Sequence, residues 1–190
     1  MTSTYEAGME QNLAEHVLTL SLQDFRGQKK LGDKALKQLP EEGYYYVPEP
    51  ESNSIAIIVN HLYGNMLSRW TDFLTSDGEK PTRNRDGEFS HDNATSKELL
   101  RRWEEGWGAL FTALEGLTPV DLLRTVSIRG EAHTVIQAIH RQISHYGYHV
   151  GQLVYVAKAF RSAEWQTLSI PKGGSASFNN KMLDKHEPNQ

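Results

Sequence analysis

Apolar and polar positions along the chain alternate with a helical rather than a strand period over most of its length, and the pattern predicts four helical segments followed by a tail. The first runs from about Glu10 to Leu39, where Leu13, Val17, Leu20, Leu31, Ala35 and Leu39 fall at helical spacing before Pro40 stops it. The second, Ile55–Leu74, follows Ser52, Asn53 and Ser54, side chains suited to capping its free amides. A polar stretch, Asp77–Asn93, then reads as a solvated loop in which Lys80, Arg83 and Arg85 alternate with acidic residues and pair with them.

Thr95 with Glu98 three residues on predicts a capping box and a third helix through Trp103, Trp107 and Leu110 to about Leu114, the two tryptophans being core residues. Leu122–Arg129 reads as an extended piece that turns at Gly130. Thr134 with Gln137 gives a second capping box, and the fourth helix follows to about Phe160. Pro171, Gly173 and Gly174 mark 167–190 as a loop-like tail, disordered at its end, in which Trp165–Phe178 serves as a lid or a surface strap. The expectation is an all-α four-helix bundle domain over residues 1–166 with the tail packed back on it.

Composition narrows the chemistry. The 190 residues contain no cysteine, which excludes thiolate nucleophiles, sulfur-ligated metals and disulfides, so any metal is held by nitrogen and oxygen. A net charge of −4 argues against nucleic acid as a partner. No apolar run is long enough to span a bilayer, and no basic region leads into an apolar one at the start of the sequence. No membrane and a cytoplasmic location are therefore expected.

On a wheel of roughly 100° per residue, the core stripe of the fourth helix, Val135, Ala138, Leu153 and Val156, also holds Gln142, His145, His149 and Gln152. Four polar groups on a buried face need partners, since each one left unsatisfied costs roughly 1–3 kcal/mol. A metal ion between the i, i+4 histidines supplies one. His61 sits at the inward edge of the second helix with Asn65, which makes three histidines on two helices. Hydrogen-bonded core histidines are the plainer alternative.

His16, His91, His133, His140 and His186 read as surface groups. A zincin is excluded because Tyr146, not glutamate, follows His145, and covalent haem needs cysteine. Asn65, Tyr146 and Gln152 are candidates to orient the ligands from behind, and Tyr148 stands on a flanking face. No acid/base carboxylate is evident beside the histidines, although Glu10, Glu15 or Glu104 could reach them from other helices. Gly147 and Gly151 permit close approach of another helix, within the fold or across a dimer.

The order of His61 within Ile58-Val59-Asn60-His61-Leu62 and the run His145-Tyr146-Gly147-Tyr148-His149-Val150-Gly151-Gln152 resemble the DinB/YfiT-like superfamily. Ser52–Trp70, Gly78–Phe89 and Trp165–Phe178 resemble an uncharacterised branch of it. The resemblance covers nearly the whole chain. It implies an up-down-down-up four-helix bundle, often a homodimer, with one divalent ion, nickel or zinc, on three histidines matched here by His61, His145 and His149. It also implies either a metal-dependent hydrolase or an S-transferase acting on a small-molecule ligand such as a low-molecular-weight thiol. A metal-binding or stress-response protein without turnover is the competing reading.

Overall fold

A computed structural model describes residues 4–90 and 93–186, with side chains described for 12–90 and 93–185. Five α-helices and one small hairpin make up the regular structure of the described residues, with short 3₁₀ turns between them. They are α1 (Thr4–Leu36), α2 (Ile55–Trp70), α3 (Ser96–Glu115), β1 (Thr125–Ile128), β2 (Glu131–Thr134), α4 (Val135–Arg161) and α5 (Ser175–His186). None is long and apolar enough to cross a membrane.

The four long helices enclose a single core. Helix α1 lies against α4 and α2 against α3, while α2 also meets α4 and α1 meets α3. At the centre, Phe25, Trp70, Trp107 and Tyr146 pack ring against ring at centroid distances of 5.9–6.5 Å. Trp103 and Trp107 are both core residues, and Trp103 Nε1 donates to Asp33 at 2.7 Å. Burial of such rings dominates core energetics, with each worth several times a methyl-sized contact.

Local sequence explains most of the boundaries. Ser54 caps α2 by accepting from Ile57 N, Thr95 caps α3 by accepting from Glu98 N, and Thr134 with Gln137 forms a reciprocal capping box at α4. Glu98 departs from the expected box, because its carboxylate pairs with Arg101 instead. The hairpin pairs Ile128 with Glu131, so Arg129 and Gly130 form a two-residue turn with φ of 56° and 76°. Glycine supplies one of the two positive φ angles such a turn requires.

Several expectations are corrected. Helix α1 begins earlier than Glu10 and ends at Leu36, because the chain tightens into i→i−3 bonds at Gln38 and Leu39 ahead of Pro40. Its buried stripe is Leu18, Ser21, Phe25, Ala35 and Leu36, whereas Leu13, Leu20 and Leu31 are exposed. Val17 and Leu39 are half-buried against the core, so the expected stripe holds in part and fails at the three exposed leucines. Helix α2 stops at Trp70 because Thr71 is extended and Asp72 takes φ of 49°.

The tail is not a loop throughout. Pro171 to Gly174 forms a turn, with Gly174 N donating to Pro171 O at 2.9 Å, and this turn leads into α5. Before it, the chain is strapped to the end of α1 by paired bonds between Gln38 and the backbone of Gln166, with Trp165 and Leu168 half-buried on the core. None of the described tail residues reaches the cleft that holds the histidines.

Candidate metal centre

Helices α2 and α4 bring three histidines to one point. His61 and His149 are buried and His145 half-buried, and one ring nitrogen from each lies within 4.8 Å of the others. The Nε2 atom of His145 is 3.3 Å from that of His61 and 3.1 Å from that of His149. Ligand nitrogens around 2.0–2.1 Å from a shared ion stand about 2.9–3.4 Å apart, a spacing that both distances from His145 match.

The far sides of the rings fix their tautomers. His61 Nδ1 is 2.9 Å from Glu88 Oε2, and a carboxylate only accepts, so the hydrogen sits on Nδ1 and Nε2 presents a lone pair. His149 Nδ1 donates in the same way to Gln152 Oε1 at 2.9 Å. Two lone pairs therefore converge on His145 Nε2, and one proton there satisfies only one of them. His145 Nδ1 is itself buried with no hydrogen-bond partner. A cation at the centre resolves this conflict, so the three residues fit a metal and could hold one.

Electrostatics favours the ligand state. Burial, with the neighbouring His149 and His61 adding to it, lowers His145 to about 3, and burial followed by His61 lowers His149 to about 4. Both rings are then neutral at physiological pH, as metal ligation requires.

Glu88 is the functional residue the sequence reading missed. It lies in a 3₁₀ turn, Asp86–Phe89, inside the stretch expected to be solvated, yet its side chain and that of Arg83 are only 8% and 4% exposed. Arg83 grips the carboxylate bidentately at 2.7 and 2.8 Å and reaches Glu79 with its remaining Nη1. Burial pushes Glu88 up, but the bonds from His61 and Arg83 outweigh it and hold the group below its ordinary value, as an anion. Helix α2 makes room for it at Gly64, where a Cβ would stand 2.7 Å from the Glu88 carboxyl carbon. Phe89 covers the His61 ring at a centroid distance of 4.8 Å.

The loop is fastened at its start. Asp77 accepts from the backbone of Arg129 and Gly130 at 2.8 Å, and Ser68 on α2 donates to Gly78 O and accepts from Lys80 N. Those contacts tie the segment to both the hairpin and α2. Of the three cations expected to pair there, Arg83 does so, with Glu79 and Glu88 and out of solvent, whereas Lys80 donates to Asp77 O and Arg85 stands over the Phe89 ring.

The other nominated residues divide. Gln152 touches His149 as described. Tyr146 is fully buried, receives Trp70 Nε1 at 3.0 Å and donates to Asn65 Oδ1 at 2.9 Å, so Tyr146 and Asn65 bond each other rather than a histidine. Tyr148 is exposed at the rim. Glu15 is exposed on α1 and Glu104 is bound to Lys29 at 2.9 Å, so neither joins the three histidines. The side chain of Glu10 lies outside the described residues.

Of the remaining histidines, His16 and His140 are exposed, while His133 is half-buried beside Glu131 because it falls on β2. His91 and the side chain of His186 lie outside the described residues. Gly147 faces Gln28 of α1, so its close approach is within the chain, whereas a Cβ at Gly151 would meet nothing.

A mostly helical protein with a three-histidine group able to hold a metal is what fold and site define together. The model of a family described as a protein of unknown function (DUF1572) matches residues 12–174, and the chain belongs to that family. No curated protein and no solved structure matches it.

Proposed function

We propose that this is a DinB-like four-helix bundle that binds one divalent ion, zinc or nickel, through His61, His145 and His149, and uses it as a metal-dependent hydrolase or thiol S-transferase. The observation that carries the reading is the convergence of three Nε2 atoms, with the His61 and His149 rings oriented from behind by Glu88 and Gln152. An all-imidazole donor set suits borderline ions such as zinc and nickel better than calcium or magnesium. Bound there, the ion would supply Lewis acidity to a water, thiol or carbonyl entering the cleft.

The chain's own groups have separable tasks. Glu88 holds the His61 ring and raises its basicity, and Arg83 keeps Glu88 charged and in place. Gln152 does the same for His149 without adding charge. The cleft beside the rings, about 440 Å³, admits a small molecule, and Tyr148 stands at its mouth. Three protein ligands without a fourth leave room for a substrate atom, the pattern of catalytic rather than structural zinc sites. That favours turnover over a purely binding role. The exposed Tyr148 and Tyr155 beside open Gly151 on the outer face of α4 are where a homodimer would form.

The test is cobalt substitution followed by titration with a small thiol. The d–d and charge-transfer bands are expected to change saturably as sulfur enters the coordination sphere. A spectrum unchanged at saturating thiol excludes the transferase reading.

A further inference from the structure

The wall of the histidine cleft carries Arg69, Arg83, Arg85, Arg129 and Arg141 and, among the described residues, no carboxylate. Behind it, a single carboxylate, Glu79, is shared by three of the five. It lies 3.1 Å from Arg83, 3.3 Å from Arg129 and 3.7 Å from Arg69. Glu79 and Glu88, which Arg83 also grips, are two negative charges against these three guanidinium groups, and Arg85 and Arg141 add two more positive ones. The cleft is left with a surplus of positive charge that the fold does not answer.

Arg69 is the member of that set buried without a hydrogen bond at two of its nitrogens. The residue is 3% exposed, yet its Nε and Nη1 have no hydrogen-bond partner, and its Nη2 is beyond hydrogen-bond distance of Glu79. Its setting is built rather than accidental. At position 78 a Cβ would stand 2.8 Å from Arg69 Nη1 and 3.0 Å from its Cδ, so glycine there leaves room for one edge of the guanidinium. The opposite edge, Nε with Nη2, is the fork that binds carboxylate and phosphate bidentately, and it is turned away from Gly78. Burial lowers the Arg69 value, with Arg83 and Arg141 pressing the same way against Tyr146 and Glu79. An isolated buried cation is costly, and such groups are normally paired.

We propose that the cleft takes a small molecule bearing a terminal oxyanion, a carboxylate or a phosphate, gripped by the free fork of Arg69 and steered by Arg141 at the rim. This rests on the reading of the three-histidine cleft as a substrate site, and it names the chemical class of that substrate. The anion seated on Arg69 places the rest of the molecule in the same cleft as the histidines, so arginine binding orients whatever group reacts there.

The experiment uses the full chain stripped of metal with chelator, so that an anion cannot simply ligate the ion. Thermal unfolding is followed against inorganic phosphate and, separately, acetate, each matched in ionic strength with sodium chloride. A saturable rise in Tm with either anion is expected, and the tighter of the two identifies phosphate or carboxylate as the recognised group. In Arg69→Met the apparent affinity falls about tenfold or more, as loss of charged hydrogen bonds implies. The variant melts no lower than wild type in chloride, because it removes a buried charge whose Nε and Nη1 make no hydrogen bond and leaves Glu79 with Arg83 and Arg129.

Arg141→Gln, at an exposed position, serves if Arg69→Met does not fold, and is expected to weaken binding several-fold. Three results overturn the proposal: no anion effect beyond the chloride control, an affinity unchanged in the folded Arg69→Met variant, or, where that variant does not fold, an affinity unchanged in Arg141→Gln. Anion binding seen only with metal present also overturns it and leaves the metal reading intact. Arg69-dependent binding in a protein that never holds metal does the reverse.

Discussion

The helical core and the 77–90 loop both bury side chains deeply, but by opposite means. In the core, Phe25, Trp70, Trp107 and Tyr146 leave water by packing ring against ring, and the polar atoms of Trp70 and Tyr146 are satisfied by one another and by Asn65. In the loop, Arg83 and Glu88 leave water as a bidentate ion pair whose carboxylate also accepts a hydrogen bond from His61 Nδ1. The first arrangement stabilises the fold whatever occupies the site. The second is useful chiefly for what it does to one imidazole, since a buried ion pair stabilises a fold little compared with good apolar packing.

Removing the core ring is therefore expected to have the largest effect. Trp107→Ala deletes a side chain with no solvent exposure at the junction of Phe25, Trp103, Phe111 and Tyr146. It should cost about 3–5 kcal/mol, read as a fall in denaturant midpoint. A cost under about 1 kcal/mol would mean that the core is looser than these contacts imply.

Glu88→Gln should divide the two regions most sharply. The amide oxygen can still accept from His61 and Arg83 Nη2, but its NH2 then faces Arg83 Nε and the buried guanidinium loses its counter-charge, so stability in chelator should fall by about 1–3 kcal/mol, less than for the core ring. Affinity for a divalent ion should fall tenfold to a hundredfold, the usual effect of losing the group behind a ligating histidine. Competition with a chromogenic chelator measures it. Metal affinity unchanged in the folded variant would show that the loop is ordinary core and not a support for the site.

The same contrast explains what could be read from the sequence. His145, His149 and Gln152 lie on a helix whose period identifies the inward face, and His61 lies on another, so the three rings and one partner were legible from spacing. Glu88 and Arg83 lie where no period operates, in a segment with charges of both signs that reads as solvated. Their burial depends on Asp77 and Ser68 fastening the loop and on Gly64 leaving space, none of which has a local signature. The resemblance of Gly78–Phe89 to a family was the one signal pointing there.

On α1 the expected stripe was right for Ala35 and in part for Val17 and Leu39, but Leu13, Leu20 and Leu31 are exposed while Leu18, Ser21, Phe25 and Leu36 make the contact. In the tail, Pro171, Gly173 and Gly174 read as the start of a loop when they form the turn that opens α5.

Acid should act on the site more gently and in a defined direction. His145 and His149 are held at about 3 and 4 in the fold against an ordinary value of 6.5, so between those limits the unfolded chain binds more protons than the folded one. Stability of the metal-free protein is thus complete above about pH 6.5 and declines as pH falls toward 4, with a positive slope against pH throughout. Metal should leave the folded protein lower still, as pH falls to about 4 and below, because the folded rings stay neutral until then and ligating imidazoles must be neutral. Glu88, held low by His61 and Arg83, adds to the loss only once pH passes below its ordinary 4.5. A stability profile flat from pH 7 to pH 5 in chelator would contradict the burial of the two rings.

The most direct measurement is elemental analysis of protein purified without an affinity tag, alongside His145→Ala and His149→Ala. The account predicts about one zinc or nickel ion per chain in the wild type and background levels in both variants that remain folded. Metal content unchanged by either substitution, or none in a wild type supplied with both ions, would contradict a three-histidine metal centre.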